Sequence, residues 1–291
     1  MARALRRSLL YVPASSEAML EKAGSRGADV VILDLEDGVH PSSKERAREA
    51  VVAGVGELDF GGAEVFVRVN ALTSPWAARD LAAVPAQGVA AVVVPKVSSP
   101  EDVLRAESLL GRADVPLLAM LESAAAVLAA PAIARSSARL AGLMFGSADY
   151  RESLGAGRAA DEAELLFARS QILHAARAAL LEAYDAPFFD YRDGAGLERS
   201  AARVRTLGFD GKTAIHPAQV ALINRIFSPT AAELEWARRV VEALEQAAAS
   251  GRAVTGLGGE MLEGVHERMA RRILARAQPG SSARPGRIPS A

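Results

Sequence analysis

The sequence predicts an α/β protein: a (β/α)8 TIM barrel with a C-terminal helical extension. Three observations predict it. Short apolar runs alternate with helix-like segments along the chain. The stronger runs are continuously apolar, as strands buried on both faces of a parallel sheet are. Eight strand–helix units fit into about 225 residues, which matches such a barrel in number and length. An open doubly wound sheet is the competing architecture. It usually has fewer strands and a Gly-rich first turn, and Tyr11-Val12-Pro13-Ala14 is not one.

The runs follow in order. Leu9–Ala14 is the first, Val30–Asp37 the second, Val65–Asn70 the third and Ala90–Lys96 the fourth. Leu117–Glu122 is the fifth and Leu140–Asp149 the sixth. Phe188–Tyr191 is a weaker seventh and Thr213–His216 a weaker eighth. Between them, Glu17–Ser25 reads as a helix behind Ser15-Ser16, a suitable cap. Ser43–Gly54 is charged and amphipathic. Pro100–Gly111 begins with Pro and ends with Gly, the expected helix asymmetry. Asp161–Tyr184 is long, Ala-rich and reads as one helix.

After Pro229 the character changes. Ala231–Ser250 is a strong helix, Gly251–Gly259 a Gly-rich loop, and Met261–Ala277 a last, basic helix. The expected organisation is a catalytic barrel over 1–228 and a helical lid or oligomerisation extension over 229–277. The tail over 278–291 is rich in Pro, Gly, Ser and Arg, which predicts disorder.

The totals exclude several classes of function. Of 291 residues, 50% are apolar but only 5% aromatic, so Ala, Val and Leu fill a large core. The formal net charge of -1 and the lack of a basic stripe give no case for nucleic acid. No cysteine is present, which removes disulfides, thiolate metal sites and cysteine nucleophiles. Near the N-terminus the apolar run is only Leu9 to Val12, too short for a signal peptide. No stretch approaches the roughly 20 apolar residues that span a bilayer. The expectation is a soluble cytoplasmic protein with no membrane partner.

Barrel enzymes carry their chemistry at the C-terminal ends of the strands. The polar residues fall there: Asp34, Glu36 and Asp37 after strand two, Arg68 and Asn70 after strand three, Pro95-Lys96 after strand four. Glu122 ends strand five, Asp149 strand six and His216 strand eight. Asp34-x-Glu36-Asp37 also reads as an ion-pair cluster with Arg68 as its partner, since buried charges are usually paired. His40, His174 and His266 read as ordinary surface or helix histidines. Two carboxylates without a His or Cys cluster suit a hard cation, Mg²⁺ or Mn²⁺. Such a cation leaves positions for a 2-oxo acid and polarises its carbonyl. A nearby Arg pairs with the carboxylate or with a developing enolate. That set favours making or breaking a carbon–carbon bond through an enolate. Lys96 invites a Schiff-base aldolase as a rival, which leaves the carboxylates of strands five and six unexplained.

The same residues resemble a known family. Ser8-Leu9-Leu10-Tyr11-Val12-Pro13, Val31-Ile32-Leu33-Asp34-Leu35-Glu36-Asp37-Gly38 with Lys44 and Ala47-Arg48, and Val67-Arg68-Val69-Asn70 look like the citrate lyase beta-subunit and malyl-CoA lyase superfamily. Pro95-Lys96, Leu121-Glu122-Ser123-Ala124, Phe145-Gly146-Ser147-Ala148-Asp149 and Gly208 to Pro217 continue the match in order. The resemblance runs from about Arg7 to about Ala277. It implies Mg²⁺ on Glu122 and Asp149, oxyanion contact by Arg68, and a homotrimer or hexamer. It implies a CoA thioester across the mouth, near Lys44 and Ile215-His216-Pro217. Glu36, Pro95 and Lys96 join that substrate-binding set, and Asp37 joins Arg68 as a catalytic candidate. The implied reaction is reversible cleavage of a malyl-CoA or citramalyl-CoA type 3-hydroxyacyl-CoA to acetyl-CoA and a 2-oxo acid (glyoxylate, pyruvate or oxaloacetate). A malyl-CoA-type thioesterase is one alternative. A citrate lyase beta subunit, acting on an acyl-carrier protein, is the other.

One departure bears on mechanism. The family commonly carries an Asp in its C-terminal extension that serves a neighbouring subunit's site as acid/base. The matching stretch here is Gly259-Glu260-Met261-Leu262-Glu263. Glu263 keeps the carboxylate on a longer stem, and Val265 stands where the family has Pro.

Overall fold

A computed structural model describes residues 5–111 and 113–277. The tail expected over 278–291 lies outside them. Eight parallel strands close into a barrel in sequential order. They are β1 (Ser8–Pro13), β2 (Val30–Asp34), β3 (Glu64–Arg68), β4 (Ala91–Val94), β5 (Leu117–Leu121), β6 (Leu140–Phe145), β7 (Glu182–Asp185) and β8 (Gly211–Ala214). β8 pairs with β1 to close the ring, Leu9 opposite Thr213. A Cβ at Gly211 would collide with the backbone of Arg6 and Arg7, so closure needs glycine there.

Side chains alternate across the barrel wall. Leu9, Val30, Ile32, Phe66, Val93, Leu118, Met120, Met144 and Tyr184 pack together inside. Leu10, Val31, Leu33, Val67, Val92, Leu143 and Ala183 point outward and pack in the layer under the helices. Parity therefore carries Tyr11, Asp34, Arg68 and Glu122 inward at the mouth, two residues beyond Leu9, Ile32, Phe66 and Met120.

Helix ends follow their local signals. Ser99 and Asp102 form a reciprocal capping box for Pro100–Leu110. The segment expected as helix at Glu17–Ser25 is shorter: Glu17–Leu20, then a 3-10 turn at Gly24–Arg26.

Strand seven differs from expectation. The helix ends at Ala178, and β7 occupies Glu182–Asp185 rather than Phe188–Tyr191. Leu180 turns the chain with φ 59, a conformation that no glycine announces. β7 is polar because its charges are used internally. Glu182 accepts from Arg6 and Tyr184, and Asp185 binds Arg169.

The chain falls into two compact units, Arg6–Phe227 and a second that takes the chain from Ser228. The second contains a helix at Ala231–Ala249, capped by a Thr230–Glu233 box, and another at Gly264–Arg276. Between them, β9 (Thr255–Leu257) and β10 (Glu260–Leu262) pair antiparallel. This corrects the loop expected at Gly251–Gly259. Gly258 and Gly259 have φ 61 and 88, the paired positive angles of a tight two-residue hairpin turn. Leu262 and Ala270 pack on Ala237, Val240 and Leu244 as this unit's own core. No described helix is long and apolar enough to cross a membrane.

Candidate functional site

The barrel mouth gathers most of the sequence-predicted residues. Arg68, the last residue of β3, donates to both oxygens of Asp34 at 2.7 and 2.8 Å. Its third nitrogen lies 3.0 Å from Glu36. Its guanidinium sits 4.6 Å over the Tyr11 ring. The expected ion-pair cluster therefore exists, and it orients the guanidinium. Burial alone would raise the Asp34 pKa, but Arg68 and the backbone N–H groups of Glu36 and Gly38 hold it below the ordinary carboxylate range.

Glu36 is the opposite case. It is 4% exposed. Arg68 and Lys96 stand at 3.0 and 3.1 Å, yet neither of its oxygens has a well-directed hydrogen bond. Burial, reinforced by Asp37, outweighs the two cations and pushes its pKa up to about 7. Asp37 is exposed, 3.7 Å from Lys96 and 4.0 Å from Arg68.

Glu122 directly follows β5 and is buried. It accepts the backbone N–H of Lys96 at 3.1 Å and shares a hydrogen bond with Asp149. Burial, then that hydrogen bond, then the charge of Glu36 raise its pKa well above the ordinary value. A Cβ at Gly146 would lie 2.5 Å from the Glu122 side chain, so glycine makes the room. Asp149 is not at the end of a strand, as expected. β6 stops at Phe145, and Asp149 lies in the first turn of the helix Ser147–Leu154, where an acidic residue suits the dipole.

Lys96 follows β4 and Pro95 with φ 54. Its ammonium is 3.1 Å from Glu36, 3.7 Å from Asp37 and 3.6 Å from Asp149. Burial works against its charge, but these acids outweigh it and hold the group protonated. A protonated, ion-paired amine is a poor Schiff-base nucleophile.

Lys44 adjoins this group, and the remaining candidates make contacts of their own. Lys44 is buried, donating to the carbonyls of Leu35 and Glu36 at 2.7 Å each. His216 stacks on Tyr191, centroids 4.4 Å apart, and caps the turn that starts at Pro217. Gln219 accepts from the backbone of Ile215 and His216 and donates to Phe188. Ile215 is 38% exposed. Glu263 is exposed at the start of the last helix, its N–H on His266 at 3.2 Å. Tyr11, Gly146, Tyr191 and Gln219 were not singled out from sequence. Inward parity could have found the first two.

The mouth is rich in acids. Asp34, Glu36, Asp37, Glu122 and Asp149 face Arg68 and Lys96, with Lys44 beneath. Glu122 and Asp149 stand side by side there, two carboxylates of the kind that a hard divalent cation takes. No cluster of three or more His, Cys, Asp or Glu side chains with metal-ligand geometry occurs among the described residues. The two-carboxylate pair is the available donor set. A cavity of about 250 Å³ lies elsewhere, lined by Glu162, Phe188, Gly196, Arg199, Ser200 and Arg203. It holds none of the mouth residues.

Comparison with known proteins gives the family of the chain. The family described as HpcH/HpaI aldolase/citrate lyase matches residues 7–217. A second family, C–C bond lyases of the TIM-barrel fold, matches residues 166–279. The chain is 40% identical over 282 residues to a citrate lyase subunit beta of Escherichia coli, covering 94% of this chain and 93% of that one. It is 38% identical over 272 residues to a (3S)-malyl-CoA thioesterase of Cereibacter sphaeroides, covering 94% of each. Protein CitE from Mycobacterium tuberculosis, solved with magnesium, acetoacetate and coenzyme A, superposes with a TM-score of 0.79 at 34% identity. That match covers 94% of this chain and 99% of the other.

Proposed function

This chain belongs to the HpcH/HpaI aldolase/citrate lyase family and is a carbon–carbon lyase with Mg²⁺ as cofactor, and from that premise we propose that it reversibly cleaves a 3-hydroxyacyl-CoA of the malyl-CoA or citramalyl-CoA type to acetyl-CoA and a 2-oxo acid. The observation that carries the proposal is the Glu122–Asp149 carboxyl pair, linked at the mouth through Lys96 and Glu36 to an oriented Arg68.

Glu122 and Asp149 would hold the metal. When bound, Mg²⁺ supplies Lewis-acid polarisation of the 2-oxo acid carbonyl. Arg68, fixed by Asp34 and by the Tyr11 ring, presents its guanidinium to the oxygen that carries the developing charge. A base takes the proton from the 3-hydroxyl, and the bond between C2 and C3 breaks. The hydroxyl carbon leaves as the 2-oxo acid carbonyl. The electron pair stays on the acetyl thioester as an enolate, which then takes up one proton at carbon. Glu263 of another copy is assigned to carry these protons. Asp37, exposed beside Lys96, is a second candidate for the same task. Ile215, His216 and Pro217 line the thioester's path, with Pro95 and Glu36 on the acid side. Lys44 acts on this set indirectly, holding the loop that carries Glu36. The reading makes the protein a cytoplasmic homotrimer or hexamer.

Two other readings are favoured by named relatives: a malyl-CoA thioesterase and a citrate lyase beta subunit that works on an acyl-carrier thioester. One assay separates the three. The protein is incubated with malyl-CoA and citramalyl-CoA, with Mg²⁺ or EDTA, and thiol and 2-oxo acid are followed together. Metal-dependent glyoxylate or pyruvate with intact acetyl-CoA is expected. Free thiol without 2-oxo acid means a thioesterase. No turnover of either ester, with turnover of a citryl carrier protein, means the beta subunit.

A further inference from the structure

Lys96 touches the proposed metal pair with both ends of the residue. Its backbone N–H donates to Glu122 at 3.1 Å, while its ammonium lies 3.6 Å from Asp149. The same ammonium is 3.1 Å from Glu36 and 3.7 Å from Asp37. The backbone reaches this position in the left-handed region, φ 54, which a lysine adopts only under constraint. The ammonium therefore stands among three carboxylates, one of them the proposed ligand Asp149.

We propose that Lys96 is a built-in counter-ion that competes with the divalent metal for Asp149 and so sets how tightly the metal binds. The inference rests on Glu122 and Asp149 being the ligands. Without metal, the ammonium offsets the charge of Asp149. With metal bound, two cations cannot share that carboxylate at close range without repulsion, so the ammonium withdraws to Glu36 and Asp37, which already hold it. The bridging position keeps metal affinity moderate and keeps the acids of the mouth from repelling one another in the metal-free chain.

A surface ion pair with no such task would leave metal binding unchanged when removed. The Lys96 side chain is 44% exposed, so solvent screens its charge. The expected effect is accordingly about tenfold in affinity rather than the thousandfold of a buried pair.

The test uses Mn²⁺ alone as the probe, with free Mn²⁺ followed by its electron paramagnetic resonance signal. Full-length wild type, Lys96→Met, Lys96→Arg and Glu122→Gln are titrated, with Lys96→Gln as a second neutral variant should Lys96→Met fold poorly. Lys96→Met is expected to bind about tenfold more tightly than wild type. Lys96→Arg, which keeps the charge, stays within about threefold. Melting without metal is expected to be lower in Lys96→Met, and the rise on adding Mn²⁺ larger than in wild type. Equal or weaker binding by Lys96→Met, with Glu122→Gln abolishing binding, overturns the counter-ion role and leaves the ligand assignment standing. Undiminished binding by Glu122→Gln, or no binding by any form, overturns the ligand assignment and the counter-ion role together.

Discussion

Two clusters of charged side chains lie on opposite sides of the barrel wall, near the same end of the strands. Outside, Asp185 and Lys212 are fully buried, and Arg169 on the helix Leu166–Ala178 closes on Asp185 with two hydrogen bonds. Glu162 accepts from Arg169 at 2.9 Å and from Ser200 at 2.8 Å. Two acids meet two bases, and both acids are held below their ordinary pKa despite burial. Inside, the acids outnumber the bases, and Glu36 and Glu122 are raised instead. Glu36 and Glu122 are buried as Asp185 is, but their charges are not matched in the same way. The outer set is complete as folded and serves structure. The inner set holds more acids than bases, the imbalance that the proposed cation would offset.

Several variants would break that contrast. Asp185→Ala leaves Lys212 and Arg169 buried without their acid, so it should destabilise the fold by about 3–5 kcal/mol in urea unfolding. Asp149→Asn should lower turnover about 10³-fold, the several kcal/mol a metal supplies, while leaving metal-free stability unchanged or higher. A stable Asp185→Ala, or a destabilised Asp149→Asn, would erase the distinction between the clusters. Arg68→Lys loses the two-point contact with Asp34 and should lower kcat about 100-fold with little change in folding.

A smaller effect is expected from pH. The folded pKa of Glu36 is about 7, above its ordinary 4.5. A raised pKa means stability that is complete below about 4.5 and lost as pH rises through about 7. The metal-free protein should therefore lose on the order of 2 kcal/mol across that window relative to Glu36→Gln. An opposite slope, or none, in paired urea titrations would show that Arg68 and Lys96 fully compensate Glu36.

The inner cluster was legible in the sequence and the outer one was not. Apolar runs ending in Asp34, Arg68, Lys96 and Glu122 announce strands with polar tips. β7 carries Glu182, Tyr184 and Asp185 in four residues, so it has no apolar run to announce it. Its outward Asp185 could not be matched to Arg169 or Lys212 before its register was known. Asp149 was found by its position after an apolar run, although β6 ends four residues earlier. The hairpin around Gly258-Gly259 carried a readable turn signal that its exposed, short strands obscured. Glu263 was legible as a departure in a motif, which says nothing of its surroundings.

Calorimetric titration of Mg²⁺ near pH 7, in buffers of different ionisation enthalpy, asks whether the inner imbalance is a metal site. The prediction is one Mg²⁺ per chain, bound in competition with protons because burial raises the Glu122 pKa, and no binding by Asp149→Asn. A silent titration of the wild type, or undiminished binding by Asp149→Asn, would contradict it.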